Sequence, residues 1–163
     1  MELHAPAPLL ETHVLTAFQS GEAALDDWLR RRALANQISG ASRTYVVTTA
    51  ERRVVGYYAL ASGALASSDA TGRLRRNMPD PIPMAVLGRL AVDRSMQGRG
   101  LGVALLQDAV LRVRHASAIL GIRGILVHAI SDDARTFYEH HGFTGTPRHP
   151  MTLVLSLIDT ASS

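Results

Sequence analysis

The 163-residue chain has no cysteine and no lysine. Without cysteine there is neither a disulfide framework nor a thiolate metal site. Without lysine there is no Walker A loop, whose Gly-Lys-Ser/Thr requires an ammonium group. No apolar stretch approaches the roughly 18 residues of a membrane span. The N-terminus, MELHAPAPLLETH, has no basic region and no long apolar run, and so reads poorly as a signal peptide. His128, His140, His141 and His149 lack the cysteine or paired-carboxylate spacing of a zinc site. His140 and His141 are adjacent on one helix and are expected to point apart, with His141 serving as a charge at the helix C-terminus. The chain is therefore expected to hold no metal and to cross no membrane.

What is present is an apolar fraction of 47 %, enough to exclude disorder and to build one domain with a real core. The domain expected is residues 1–163, with its core over about 9–158 and a polar tail, TASS, at the end. All 17 basic residues are arginine, at a net charge of +3. They cluster as RRR at 30–32 and RLRR at 73–76. Arginine forks suit phosphate oxygens, so these clusters are open to two readings: a nucleic-acid or cofactor-phosphate footprint, or an ordinary solvated face.

Periodicity divides the chain into elements. Residues 1–20 read as a leader with an edge strand. In ALDDWLRRRALANQ, Leu25, Trp28, Leu29 and Ala33 recur at helical spacing, Asp26 and Asp27 precede Arg30 and Arg31 by one turn, and Gly40 ends the helix. RTYVVTT and VVGYYALA predict a hairpin. The segment ALASSDATGRLRRNMPDPIP, with prolines at 79, 81 and 83, predicts a long loop with a short helical turn. AVLGRLAV (85–92) predicts a buried strand, followed by a helix from about 100 to 120, a strand over 124–130, a helix DARTFYEHH capped by Ser131 or Asp132 and closed by Gly142, and a last strand MTLVLSLI (151–158). The fold class is α/β, a mixed sheet flanked by helices.

The junction after AVLGRLAV carries QGRGLG, residues 97–102. A dinucleotide fingerprint needs GxGxxG and an acidic residue about 20 positions on; here glycines stand at 98, 100 and 102, and the region around Gly121–Gly124 has no acid. The physics of a glycine-rich turn opening a helix remains: free amides and a positive dipole end form an anion site, with Arg99 adding charge. A tight turn forced by close packing is the competing reading.

Gln97–Gly98–Arg99–Gly100–Leu101–Gly102 matches the acyl-coenzyme A signature of the GNAT N-acetyltransferases, Gln or Arg, two residues, Gly, one residue, Gly or Ala, and the chain resembles that family. The FYE and GF of Phe137–Tyr138–Glu139–His140–His141–Gly142–Phe143 fit the same pattern. The resemblance implies a single-domain fold with a mostly antiparallel central sheet whose strands splay, and acetyl-CoA as acyl donor. It implies that the loop binds the pyrophosphate and that Leu90, Ala91 and Val92 bond the pantetheine arm, opposite Leu126–Val127–His128. Many members carry Asn before the tyrosine helix, where it contacts the cofactor; here Ser131 is the residue able to donate.

Further segments, EAALDDWLRRRALANQ and RRNMPDP among them, resemble the acetyltransferase toxins of type II toxin–antitoxin modules. That likeness implies acetylation of the α-amine of aminoacyl-tRNA, a block of translation, a ribbon-helix-helix antitoxin as partner, a homodimer, and a cytoplasmic location. Tyr138 is the candidate acid for the leaving thiolate, because a phenol keeps its proton at pH 7; packing against Phe137 and Phe143 is its alternative role. An oxyanion donor is implied at a backbone N–H near Leu90 or Val92. Asp93 is a weak candidate base. A free α-amine titrates at about 7.7 and a lysine amine at about 10.4, so a missing base favours an α-amine acceptor. Arg30, Arg75, Arg76, Asn77 and Arg89 are candidates for tRNA contact. Arg89 interrupts an apolar strand, which leaves it facing phosphate or paired with Asp93. The rival functions are acetylation of a small amine or a protein N-terminus, and a non-catalytic binding protein on a CoA-type fold.

Overall fold

The computed structural model describes residues 2–157. Seven strands form one sheet in the order β1-β2-β3-β4-β5-β7-β6. The expected hairpin is β2 (Arg43–Thr48) and β3 (Val54–Leu65), paired antiparallel with Tyr45 opposite Tyr58. β1 (Ala7–Pro8) covers the outer edge of β2. β4 (Ile82–Val92) and β5 (Gly124–His128) run parallel, joined by the crossover helix α4 (Leu101–Leu120) that a parallel pair needs. β7 (Thr152–Ser156) lies antiparallel to β5 and carries β6 (Thr144–Gly145) on its far side. This is the mixed, mostly antiparallel α/β architecture implied by the sequence. Of the last strand, Ile158 lies outside the described residues, as do the TASS tail and the end of the expected core.

The chain divides into two compact units, one running to Ala61 together with Gly88–Ala109, the other comprising Ser62–Leu87 and the chain from Val110 on. In the first, α1 (Ala23–Trp28), a π-helical turn (Leu29–Ala33) and α2 (Leu34–Ser39) run on from one another and end at Gly40, whose φ of +82° suits glycine. Leu25, Leu29 and Ala33 form the buried stripe, packed with Phe18, Val46 and Tyr57. The charges differ from the expected pairing four positions apart. Asp26 is buried and accepts from the Ser20 amide and, at 2.6 Å, from the Ser20 hydroxyl. Asp27 pairs with Arg30, three residues on, at 3.2 Å. Drawn inward to the segment before the helix, Asp26 is unavailable to an arginine on the surface.

The second unit is built around Leu65, Ala70, Leu74, Ile82, Met84 and Leu126. The proline-rich segment holds the expected short helical turn, α3 (Gly72–Arg75), and a 3-10 turn (Ser67–Asp69) before it. β4 begins at Ile82 rather than at residue 85, because Ile82 and Met84 both turn into the core. Pro83 has no N–H, yet its carbonyl accepts from Arg123 N at 2.9 Å. Gly124 is a glycine because a Cβ there would stand 2.7 Å from the Leu155 carbonyl oxygen. β5 stops at His128, and Ser131 then caps α5 (Asp132–His140), its hydroxyl accepting from Ala134 N at 3.1 Å.

Candidate acyl-CoA and acceptor site

The first unit carries the glycine loop. Beyond Val92, Asp93 opens a 3-10 turn over Arg94–Met96, Gln97 is extended, and the chain reverses through Gly98 (φ +76°) and Gly100 (φ +81°) into α4. Both angles lie in the left-handed region that glycine occupies without strain. A Cβ on either residue would meet no described atom within 4 Å. Backbone conformation therefore demands these glycines, and close packing does not. The open space beside them fits the approach of a phosphate group to the amides at the start of α4. Arg99 is exposed at the loop tip, and Leu101 and Gly102 begin the helix. The side chain of Gln97 is held by the protein itself: its Nε2 donates to the carbonyls of Ser20 (2.7 Å) and Val92 (2.9 Å).

Leu90, Ala91 and Val92 occupy the part of β4 that continues past its register with β5, which spans Ala85–Leu87 against Ile125–Val127. A strand that runs on past its partner leaves backbone groups for a ligand. Ala91 also belongs to the hydrophobic core.

Asp93 is neither Arg89's partner nor a base. Only 3 % exposed, it accepts from Gln19 N (2.8 Å), Ser95 N (3.1 Å), Ser95 Oγ (2.6 Å) and Arg53 (3.1 Å). Burial raises the pKa of its carboxyl, but these hydrogen bonds and the Arg53 charge outweigh that and hold it below the ordinary value.

The guanidinium of Arg89 lies 4.3 Å from the centroid of the Trp28 ring, a cation–π contact, and Trp28 stacks in turn on Tyr57. Among the described residues Arg89 has no carboxylate partner. It lines a cavity of about 210 Å³ with Trp28, Asn36, Ser42 and Gly88. The Ser42 hydroxyl oxygen is buried without a described hydrogen-bond partner. Arg30 is committed in part to the fold, donating to the Phe18 carbonyl at 2.7 Å as well as to Asp27.

Tyr138, on α5, belongs to the second unit. Its ring is 7 % exposed and meets Phe143 and Phe137 edge-on, at 5.4 and 5.3 Å. The hydroxyl makes no hydrogen bond among the described residues. Burial pushes the phenol up to about 12, so it carries its proton throughout the physiological range. The rings of His140 and His141 meet perpendicularly at 5.2 Å instead of pointing apart, because His141 leaves helical geometry (φ −104°, ψ 23°) and folds onto Phe137. Arg75 and Arg76 are exposed at the end of α3; the Arg73 side chain lies outside the described residues. Asn77 has a φ of +58°, a turn conformation that asparagine tolerates well, so the backbone accounts for its type. No group of three or more His, Cys, Asp or Glu among the described residues could hold a metal ion, and no described helix is long and apolar enough to cross a membrane.

A profile of the acetyltransferase (GNAT) domain matches residues 41–145, which include the glycine loop, Arg89 and Tyr138. The chain belongs to the GNAT acetyltransferase family. It is 54 % identical over 155 residues to a tRNA-acetylating toxin of Mycobacterium tuberculosis, covering 95 % of this chain and 93 % of that protein. Among solved structures, AtaT complexed with acetyl-methionyl-tRNAfMet superposes with a TM-score of 0.91 at 30 % identity, covering 99 % of this chain and 98 % of the other. A tyrosine-to-phenylalanine mutant of AtaT, bound to the C-terminus of the antitoxin AtaR and acetyl-CoA, superposes with a TM-score of 0.81 at 31 % identity over 94 % and 92 % of the two chains.

In this GNAT chain the signature residues were visible as sequence, while their supports were not. Trp28 reads as a core position of an amphipathic helix and reveals nothing of Arg89. Ser42 carries no motif at all. The segment Gln19–Ser20 supports the glycine loop with backbone atoms, which no residue pattern records.

Proposed function

We propose that this protein is an acetyl-CoA-dependent N-acetyltransferase toxin that acetylates the α-amine of an aminoacyl-tRNA and so blocks translation, with about residues 9–158 acting as one catalytic domain. Near-full-length similarity to the tRNA-acetylating toxin carries this reading. The geometry of the glycine loop supports the donor. Gly98 and Gly100 keep the approach to the α4 amides open, where the pyrophosphate binds beside Arg99. Backbone groups of Leu90–Val92 hold the pantetheine arm, and an N–H there faces the developing oxyanion. Ser131 contributes its hydroxyl hydrogen, since its oxygen already serves the helix cap.

In the transfer, the amine nitrogen bonds to the acetyl carbon, the carbon–sulfur bond breaks, and the amine proton passes to water. Tyr138 gives its phenolic proton to the departing thiolate and is reprotonated from solvent. With the Asp93 carboxylate locked in hydrogen bonds, no carboxylate base is assigned. The free α-amine of an amino acid whose carboxyl is esterified to tRNA is acidic enough to need none. Arg89 binds a phosphate near the acceptor end, its charge oriented by Trp28. Arg30, Arg75, Arg76 and Asn77 are the remaining tRNA contacts of this reading. It further includes a ribbon-helix-helix antitoxin, a homodimer, and action in the cytoplasm where charged tRNA is found.

The test is incubation with labelled acetyl-CoA and charged tRNA. Label recovered on the aminoacyl group is the expected result. Label found only on polyamines or peptides would refute the tRNA substrate, and no transfer to any acceptor would refute the enzyme.

A further inference from the structure

The entry to the glycine loop is fastened to the segment preceding α1 by three hydrogen bonds: Gln19 N donates to Asp93 Oδ1 (2.8 Å), Arg94 N to the Gln19 carbonyl (2.8 Å), and Gln97 Nε2 to the Ser20 carbonyl (2.7 Å). That segment is itself held from the helix. Asp26 takes the Ser20 amide and hydroxyl, and Arg30 takes the Phe18 carbonyl. Gln97 is the keystone of this arrangement. A carboxamide nitrogen has two protons, and both are used, one on Ser20 and one on Val92, the last residue of β4. The side chain therefore spans the 3-10 turn from end to end and ties it to a second segment. The next residue is Gly98, where the left-handed reversal starts. Two such glycines make a flexible loop, and a flexible loop loses affinity when a ligand must order it.

We propose that Gln97 is a positioning residue for the acyl donor: it acts through the backbone, bracing the loop from Ser20 and Val92 so that the amides after Gly98 are ordered before coenzyme A arrives. This rests on the loop being the pyrophosphate site. It differs from a direct contact, because the amide nitrogen is already saturated by protein carbonyls.

The experiment compares wild type, Gln97→Leu and Gln97→Arg by calorimetric titration with coenzyme A, by steady-state kinetics with charged tRNA, and by thermal melting. Gln97→Leu keeps the size and removes the donors. Its Kd for coenzyme A and its KM for acetyl-CoA are expected to rise about tenfold, the effect of one to two hydrogen bonds, with kcat at saturation falling by much less. Gln97→Arg restores donors for two carbonyls and is expected to stay within about threefold of wild type. Gln97→Leu binding coenzyme A as tightly as wild type, whatever its melting temperature, would overturn the proposal. So would Gln97→Arg binding as weakly as Gln97→Leu, since restored donors to the two carbonyls would then not order the loop. A wild-type protein that binds no coenzyme A would instead overturn the pyrophosphate reading.

Discussion

Replacing Tyr138 with phenylalanine removes one oxygen and leaves the ring between Phe137 and Phe143 in place. That oxygen has no hydrogen-bond partner among the described residues, so no buried group is orphaned by its loss. Stability is therefore expected to stay within about 0.5 kcal/mol of wild type. For a chain of this length that is a melting shift of roughly 1–2 °C. Chemistry should respond very differently. Loss of a positioned proton donor costs about 10²–10⁴ in rate, or roughly 3–5 kcal/mol of barrier. The assay is single-turnover transfer of labelled acetyl to aminoacyl-tRNA, quenched in acid, with a parallel titration of coenzyme A. Tyr138→Phe should bind donor like wild type and transfer at least 100-fold more slowly. The pH profile adds a second check. With the phenol raised to about 12, its proton is present across the assayed range, so the wild-type rate should rise as the acceptor amine deprotonates and then remain flat, without a basic limb from Tyr138. Transfer by Tyr138→Phe within about threefold of wild type would refute the proton-donor role and leave the residue as part of an aromatic cluster.

Arg89→Ala should raise KM for charged tRNA about tenfold, and the slope of log affinity against log salt should fall by about 1, the signature of one lost phosphate contact; an unchanged slope would place Arg89 off the phosphates. Asp93→Asn should cost about 1–3 kcal/mol at pH 7, read from urea melts. The folded carboxyl lies below its ordinary value, so its contribution is complete above the unfolded range of about 3.9 and is lost as pH falls through the lower folded value. The gap between wild type and Asp93→Asn should then shrink toward pH 3, and a gap independent of pH would refute the charge-based account. Gly100→Ala places a Cβ at φ +81°, a strain of about 1–2 kcal/mol, in space free of described atoms. Melting should register only that strain, whereas coenzyme A affinity should fall as well, because the added methyl occupies the ligand's approach; a coenzyme A affinity equal to wild type would mean that nothing binds there.

The glycine turn could be read early because its backbone requirement is local. Three alternate glycines before a long apolar helix state a backbone requirement within six residues, and the structure adds that Gly98 and Gly100, but not the helical Gly102, carry the positive φ. The cap of α5 was narrowed to Ser131 or Asp132 for the same reason, since a cap bonds a few residues ahead, and the structure gives it to Ser131. Arg89 was readable only as an anomaly, a charge in an apolar strand. Its neighbour is Trp28, on a helix far away in sequence, and the expected carboxylate, Asp93, is already taken by Gln19, Ser95 and Arg53. The Asp26–Arg30 pairing failed in the same way: spacing brings the two within reach, but a buried contact to Ser20 competes more strongly than a solvated ion pair.

By itself, then, the sequence determined most of the elements, where the glycine turn that opens α4 lies, and which tyrosine stands on the helix after β5. Those features depend on periodicity, capping and glycine's φ, all set by residues a few positions apart. Tertiary structure decided the partners: Trp28 beneath Arg89, Ser20 bracing Gln97, Arg53 and Gln19 locking Asp93, and the burial among aromatic rings that raises the Tyr138 phenol further. Burial and long-range hydrogen bonds set charge states and orientations, and these come from segments that only the folded chain brings together.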